Sequence, residues 1–409
     1  MSPRSQRFWL AATLLALAAI TTSASAQPRE SRRGDTREAP PGPHADLSML
    51  VGRPTATTAA ISILSTRALE GYITYTANNT RKQTATKPLA ANTPTEFELT
   101  GLLPNTHYTY QLHTRDTTTK ITDFTAHSTA AFHTARPAGS TFTFGVQGDS
   151  HPERMGRMFD PDLYTRTLTN ARNDNLDFYF MMGDDFSIER LIERNIKSQQ
   201  AVDAIYAHQR TYLATVGAST PLMLVNGNHE QAAKYLLDGT PNNFAVFAAN
   251  ARTRFYPLPD PAARPAFYTG NTHPVEHIGL LRDYYAWTWG DALFVVIDPY
   301  WHSDAPVDNE AGTKGPPREG GRRNREADES QPATKQPGGR GARDLWQITL
   351  GDDQYNWLRT TLRTSNAKFK FVFSHHVLGT GRGGIENATK YEWGGDDRRG
   401  IDRFREMRP

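Results

Sequence analysis

Polar clusters of the kind that bind metals follow four apolar, strand-like stretches of this 409-residue chain. In chain order they contain Asp149 and His151, Asp184, Asn228 and His229, and His375 and His376. Carboxylate, amide and imidazole groups supply the oxygen and nitrogen ligands suited to Zn, Mn or Fe. The chain has no cysteine, which excludes thiolate metal sites, thiol catalysis and disulfides. The chemistry that these residues could perform is therefore that of an oxygen- and nitrogen-ligated metal centre.

Glycine precedes the first three clusters, as Gly148, Gly183 and Gly227. A residue without Cβ lets the backbone turn sharply and approach a ligand closely. A similar sequence beginning at Gly351 is followed by a helical pattern over residues 354–362, which indicates a helix N-terminus instead. Each cluster alone is also compatible with an ordinary turn, cap or packed histidine. Their conjunction at four predicted strand ends is the specific signal.

The elements that must position these clusters alternate between strands and helices. Strands are predicted at residues 141–146, 176–182, 222–225, 292–297 and 369–373, and helices at residues 162–172 and 190–213. This alternation predicts an α/β domain with a packed central sheet. Because ligands gather at the carboxyl ends of strands in such sheets, we expect the four clusters to meet.

Residues 45–136 have a different, all-β pattern, with short strands predicted at 57–65, 71–77, 95–99 and 107–113. Short strands at this spacing predict a β-sandwich. The sequence LPNTHYTY, from Leu103 to Tyr110, resembles the L-x-P-x-T-x-Y signature of fibronectin type III domains. That resemblance makes Tyr108 the corner tyrosine of the sandwich.

The order of the four clusters resembles the calcineurin-like metallophosphoesterase family, with its D-x-H, G-D, G-N-H-[DE] and strand-terminal histidine motifs. The resemblance covers about residues 140–409 and implies a two-sheet α/β/β/α sandwich around a dinuclear metal centre. With a β-sandwich ahead of it, the layout also resembles purple acid phosphatases and alkaline phosphatase D-like enzymes. His151 stands where the purple branch has glycine, and Ser187 stands where it has its chromophoric tyrosine. We therefore expect no Fe(III)–tyrosinate colour.

The family resemblance also implies a role for each cluster. Asp149 and His151 would bind the first of two divalent or trivalent ions (Zn, Mn or Fe), and Asp184 would bridge both. Asn228 and His375 would bind the second ion. Such a pair holds a phosphate and lowers the pKa of a bound water, so that hydroxide attacks phosphorus.

His229 would be the catalytic residue near the leaving oxygen, as a general acid or as a cation that positions the phosphate. His376 is the alternative to His375 as a ligand, since adjacent side chains of a strand point to opposite faces. Arg154 and Arg157 follow the first cluster and are candidates for bidentate contact with phosphate.

These observations predict an exported hydrolase of small-molecule phosphate monoesters. A phosphodiesterase acting on nucleotides or phospholipid headgroups is the second enzyme hypothesis. A third hypothesis is a binding module with a catalytically dead second domain, which rows of exposed aromatic residues on the sandwich would favour. Formal charge is only +3, with 46 basic and 43 acidic residues, so no nucleic-acid-binding surface is indicated.

The N-terminus predicts a secretory signal peptide over residues 1–26. Arg4 and Arg7 precede an apolar run at residues 8–20, and the segment closes with Ala24-Ser25-Ala26. The run is shorter than the ~20 residues that span a bilayer, so we expect a secreted or periplasmic protein without stable membrane insertion. Residues 27–44 are polar and Pro-rich, which predicts a linker, and residues 303–344 form a low-complexity insertion.

The closing G-H-x-H motif of the family, which supplies one histidine to each metal, is missing, because no histidine follows His376. Either the sequence is a fragment of a longer reading frame or the motif has been lost. Loss of even an outer partner of a metal site costs about 10–100-fold in affinity or activity. We therefore expect weak metal binding and little turnover from the 409-residue chain alone.

Overall fold

The computed structural model of the chain describes residues 46–119, 122–156, 159–303, 307 and 349–375. The predicted signal peptide, the linker, almost all of the low-complexity insertion, and the candidates Arg157 and His376 lie outside these residues. Within the described part, no helix combines the length and the apolar character needed to cross a bilayer.

Residues 46–136 form two antiparallel sheets that share one hydrophobic core. The strands are β1 (Leu47–Gly52), β2 (Ala59–Ser65), β3 (Leu69–Ala77), β4 (Thr80–Gln83), β5 (Lys87–Leu89), β6 (Thr95–Leu99), β7 (His107–Asp116), β8 (Thr125–Ala126) and β9 (Ala130–His133). One sheet has the order β1-β2-β6; the other has β4-β3-β7-β8, with β5 paired to β3 and β9 to β7. Ile61 and Phe97 from the first sheet pack with Ile73 and Leu112 from the second.

Tyr108 joins the start of β7 to the turn that precedes it. Its buried hydroxyl accepts a hydrogen bond of 2.9 Å from the backbone N–H of Leu103, five residues upstream. The bond fastens the start of β7 to the turn before it.

The second part of the chain alternates strands and helices. Its elements are β10 (Phe144–Gln147), α1 (Pro161–Asn173), β11 (Phe178–Met181), α2 (Glu189–Glu193), α3 (Gln199–Gly217), β12 (Leu222–Leu224), α4 (Phe244–Phe255), β13 (Thr269–Gly270), β14 (Pro274–Val275), β15 (Gly279–Leu280), β16 (Tyr285–Trp289), β17 (Ala292–Val296), α5 (Pro299–His302), α6 (Asp352–Thr364) and β18 (Phe369–Phe373). Strands β10-β11-β12 form a parallel sheet. A second sheet has the order β13-β16-β17-β18, in which β17 and β18 are parallel.

These sheets and helices stack in four layers, because side chains alternate along the buried strands. Phe178 and Phe180 of β11 face the second sheet, where they join a core with Trp287. Tyr179 and Met181 face the other way, into a core with helices α1, α3 and α4. Helix α6 covers the far face of the second sheet. The order is helix, sheet, sheet, helix.

The single helix predicted over residues 190–213 is wrong, because the structure has two helices there. Asn195 adopts a left-handed conformation with φ of 53°, which ends α2. Ser198 then begins α3, as its side-chain oxygen accepts the N–H of Ala201. Apolar residues continue at helical spacing across the break, which is why the pattern suggested one helix.

Candidate metal centre

The four polar clusters meet because they follow strands whose carboxyl ends lie together. In the parallel sheet, Gln147 of β10 pairs with Met181 of β11, which pairs with Leu224 of β12. Asp149, Asp184 and Asn228 come two to four residues after these three positions. His375 comes two residues after β18 in the facing sheet. The structure therefore brings together all the ligand positions predicted from the sequence that it describes.

The Asp184 carboxylate is the centre of the cluster. Its Oδ2 atom lies 3.5 Å from Nε2 of His151 and 3.4 Å from Nε2 of His375. Nε2 of His229 lies 3.8 Å from the same oxygen. The other oxygen, Oδ1, accepts the backbone N–H of His229 at 2.9 Å. One carboxylate oxygen of a buried residue thus faces three imidazoles.

Two further candidate ligands complete a group around each of two imidazoles. Asp149 Oδ2 lies 3.6 Å from His151 Nε2, and with Asp184 these residues offer ligand atoms within 4.8 Å of one another. Asn228 Oδ1 lies 3.1 Å from His375 Nε2. Asp184 is common to both groups, as a bridging ligand would be.

In each of the three imidazoles, Nδ1 lies near an oxygen outside the ligand set, which leaves Nε2 directed at Asp184. The Nδ1 contacts are Met182 O at 2.8 Å for His375, Glu153 Oε1 at 2.9 Å for His151, and Glu189 Oε2 at 3.0 Å for His229. A carboxylate or carbonyl partner at the second nitrogen fixes the tautomer and orientation of a metal-binding histidine. The imidazoles of His151 and His375 are therefore arranged to ligate through Nε2.

The electrostatics of the cluster favour positive charge at its centre. Burial opposes protonation of His151, but Asp149 and Glu153 outweigh it and raise its pKa to about 9. Burial likewise opposes protonation of His375, and Asp184 outweighs it, so that this pKa also rises to about 9. Although burial disfavours its charged form, Asp184 has a pKa lowered to about 2 by the neighbouring imidazoles. Converging carboxylate, amide and imidazole groups, in a site that favours positive charge, suit a metal cation that prefers oxygen and nitrogen ligands.

Glu230 binds the backbone of two loops that carry the cluster. The sequence analysis assigned it no role. Its buried carboxylate accepts backbone N–H groups of Asp184 at 3.1 Å, Asp185 at 3.3 Å and Gly227 at 2.9 Å. Burial and the nearby Asp184 raise its pKa well above the ordinary value. Glu230 ties the loop after β11 to the loop after β12. The sequence feature that could have identified Glu230 is its place directly after Asn228 and His229, in Gly-Asn-His-Glu.

Two of the three glycines are required by close approach of the loops. A Cβ on Gly183, where φ is 102°, would lie 2.6 Å from the backbone nitrogen of Gly227. A Cβ on Gly227 would lie 2.5 Å from the backbone nitrogen of Asp184. At Gly148, by contrast, no atom of the described residues lies within 4 Å of an added Cβ, and φ is not in the left-handed region.

Arg154 is the one of the two arginine candidates that the structure describes, and it reaches the cluster. Its Nη2 lies 3.2 Å from Nε2 of His229. Its Nε lies 3.4 Å from Oε1 of Glu153, the partner of His151. Sequence reasoning missed Glu153 and Glu189 because no motif or spacing marks them.

No family model and no curated protein matches the sequence. Among solved structures, PhoD is 19% identical, with a TM-score of 0.48 over 80% of this chain and 61% of its own. The purple acid phosphatase PPD1 from yellow lupin (Lupinus luteus) seeds is 14% identical, with a TM-score of 0.46 over 81% of this chain and 51% of its own. A fibronectin type III domain of human collagen XX is 13% identical, with a TM-score of 0.18 over 25% of this chain and 100% of its own.

The chain therefore spans 61% and 51% of the lengths of the two phosphatases.

Proposed function

We propose that the protein is a metal-dependent hydrolase of phosphate monoesters with a dinuclear centre. Asp149 and His151 would hold one ion, Asn228 and His375 would hold the other, and Asp184 would be shared by both. One observation carries the proposal: Oδ2 of Asp184 lies 3.5 Å from His151 Nε2 and 3.4 Å from His375 Nε2. A carboxylate shared by two cations creates a two-metal site, which suits in-line displacement at phosphorus.

When bound, the two ions would polarise the phosphoryl group and activate the attacking water. The protein supplies an opening for the substrate and a side chain that can hold a proton. The Asp149 side chain is 48% exposed, so the cluster is open to solvent on that side, and a substrate can enter there. His229 presents Nε2 at the cluster, where it would hold a proton for the leaving oxygen or position the phosphate.

The domain organisation that we propose consists of a signal peptide, a fibronectin type III-like sandwich at residues 45–136 and a metallophosphoesterase domain from residue 140. The shared core of the first two sheets and the Tyr108–Leu103 hydrogen bond support the sandwich. The basic, apolar and small-residue pattern of the N-terminus supports export to the periplasm or the medium.

The binding-module hypothesis has no support from exposed aromatic residues. Among the described residues of the first two sheets, Leu103 is the one large apolar side chain that is extensively exposed. Glycan- or protein-binding surfaces typically present aromatic side chains, so we retain the enzyme proposal.

The direct test of the function uses the protein expressed from its complete reading frame, loaded with Zn, Mn or Fe. Rates would be measured on nitrophenyl phosphate and on bis(nitrophenyl) phosphate, before and after treatment with a chelator. We expect faster hydrolysis of the monoester, loss of activity on chelation and recovery on adding metal. Activity that survives complete metal removal would contradict the proposal, and a preference for the diester would replace it with the phosphodiesterase hypothesis.

A further inference from the structure

Arg154 is held close to the candidate metal centre by the local backbone. It ends a short 3₁₀ helix, Pro152–Arg154, that starts directly after His151. The backbone N–H of Arg154 donates to the carbonyl of His151 at 2.9 Å. A guanidinium and a candidate metal ligand are thus fixed three residues apart in one tight turn.

The guanidinium of Arg154 lies on the His229 side of the cluster. Its Nη2 is 3.2 Å from Nε2 of His229, and that Nε2 is 3.8 Å from Oδ2 of Asp184. The Arg154 side chain is 35% exposed, whereas the His229 side chain is 9% exposed. Arg154 therefore borders both the ligand cluster and solvent.

Two carboxylates outside the ligand set place negative charge beside Arg154 and His229. Oε1 of Glu153 lies 3.4 Å from Nε of Arg154, and Oε2 of Glu189 lies 3.0 Å from Nδ1 of His229. Both carboxylates are mostly buried, so solvent screens them little. The guanidinium of Arg154 offsets part of this negative charge for a phosphate anion that approaches the cluster.

We propose that Arg154 binds the phosphate of the substrate and favours dianionic monoesters over monoanionic diesters. This inference rests on the proposed function. A guanidinium donates two parallel hydrogen bonds to the oxygens of a phosphate. A monoester dianion offers one more charged oxygen than a diester, so it gains more from a nearby fixed positive charge. Engaging the phosphate also releases Nε2 of His229 from its contact with Arg154, which leaves that nitrogen to face the leaving oxygen.

The test compares Arg154→Gln and Arg154→Lys with a matched control, Arg172→Gln, in the exposed last turn of α1. Calorimetry would measure the dissociation constant of inorganic phosphate for each metal-loaded protein, and elemental analysis would give the metal content. A hydrogen bond to a charged group has a strength that corresponds to about 10–100-fold in affinity. We expect phosphate binding to weaken by about that factor in Arg154→Gln, less in Arg154→Lys and not in Arg172→Gln, with metal content unchanged.

The same variants would be assayed on nitrophenyl phosphate and its bis-ester. For Arg154→Gln, we expect kcat/KM to fall further for the monoester than for the diester. Unchanged phosphate affinity, an equal fall for the two esters, or loss of metal from Arg154→Gln would each overturn the inference. If the wild-type protein binds phosphate but hydrolyses neither ester, the proposed function fails, and the phosphate titration still decides the role of Arg154. A metal-loaded wild type that binds no phosphate would also overturn the inference.

Discussion

In the metal-free protein, the imidazoles of His151 and His375 hold protons at the place where metal ions would bind. Burial opposes these charges, but Asp149, Glu153 and Asp184 outweigh it and raise both pKa values to about 9. A histidine must be neutral to ligate a metal, so metal binding displaces these protons.

This competition predicts a pH dependence of the metal-free protein. A raised folded-state pKa gives stability that is complete below the unfolded value of about 6.5 and is lost as pH rises through about 9. We therefore expect the free energy of unfolding of the chelated protein, from urea titrations, to fall over this interval. The apparent metal affinity should rise over the same interval. A metal affinity that does not change with pH would contradict the assignment of His151 and His375 as ligands.

At the same scale, a mutation of His229 can distinguish a metal ligand from a residue that acts in the reaction. It lies at the cluster, with Nε2 near Arg154 as well as Asp184, and we assign it a role in proton transfer or phosphate positioning. His229→Ala should lower kcat by about 10²–10⁴-fold, as loss of a general acid does, while metal content stays near that of the wild type. Loss of metal from this variant would show that His229 is a ligand instead.

At the scale of elements, the cluster depends on loops that follow β11 and β12 and touch each other. Glu230 connects these loops through three backbone N–H groups. Gly227 allows the backbone of one loop to lie against Asp184 of the other. The position of the Asp184 carboxylate is therefore set by backbone packing as much as by the strands.

Gly227→Ala tests that packing, with Gly148→Ala as the matched control. The added methyl group at position 227 would lie 2.5 Å from the backbone nitrogen of Asp184, so this loop must move. Displaced supporting groups typically cost about 10–100-fold in metal affinity, and we expect a loss of that size for Gly227→Ala. Gly148→Ala meets no atom of the described residues within 4 Å and should bind metal like the wild type. Equal behaviour of the two variants in metal titrations would contradict this account.

The strand ends could be predicted from the sequence because they depend on local patterns. The strand predicted at residues 369–373 has the same bounds in the structure, as β18. The helix break after Asn195 was missed because a single left-handed residue leaves the apolar spacing intact. The contacts of Glu189 and Glu230 join residues about 40 positions apart, so they exist only once the sheets have packed. Local sequence was therefore enough to name the candidate ligands that meet in the structure, whereas the residues that support them could be identified only from the tertiary structure.

At the scale of the whole molecule, the first two sheets pack against helix α3 through a buried arginine. Arg210 is fully buried and donates to Ser48 Oγ at 3.0 Å, to Ser62 O at 2.8 Å and to the carbonyl of Phe255. Leu50 of β1 belongs to the same hydrophobic core as α1, α3 and α4. Such an interface couples the stability of the two parts.

We expect Arg210→Met to lower the free energy of unfolding of both parts together. Each buried acceptor left without a donor costs about 1–3 kcal/mol, and Arg210 serves several. Residues 45–136 contain no tryptophan, so tryptophan fluorescence reports on the second part and far-ultraviolet circular dichroism reports on both. The two probes should give one coincident urea transition in the wild type and in the variant. Separate transitions in the wild type would show that the parts are not coupled. The control for loss of an arginine is Arg172→Met, on the exposed face of α1.

The most direct test of the central claim is the metal content of Asp184→Asn, measured by elemental analysis beside the wild type. Asp174→Asn, at the exposed end of α1, is the matched control. The wild type and Asp174→Asn should each hold two ions per chain when expressed from the complete reading frame. Both keep Asp184, whose single carboxylate can neutralise part of the charge of two cations. In Asp184→Asn a neutral amide replaces that carboxylate, so the pair and the phosphatase activity should be lost together. An Asp184→Asn protein that keeps two ions and wild-type turnover would contradict the bridging role and, with it, the dinuclear site.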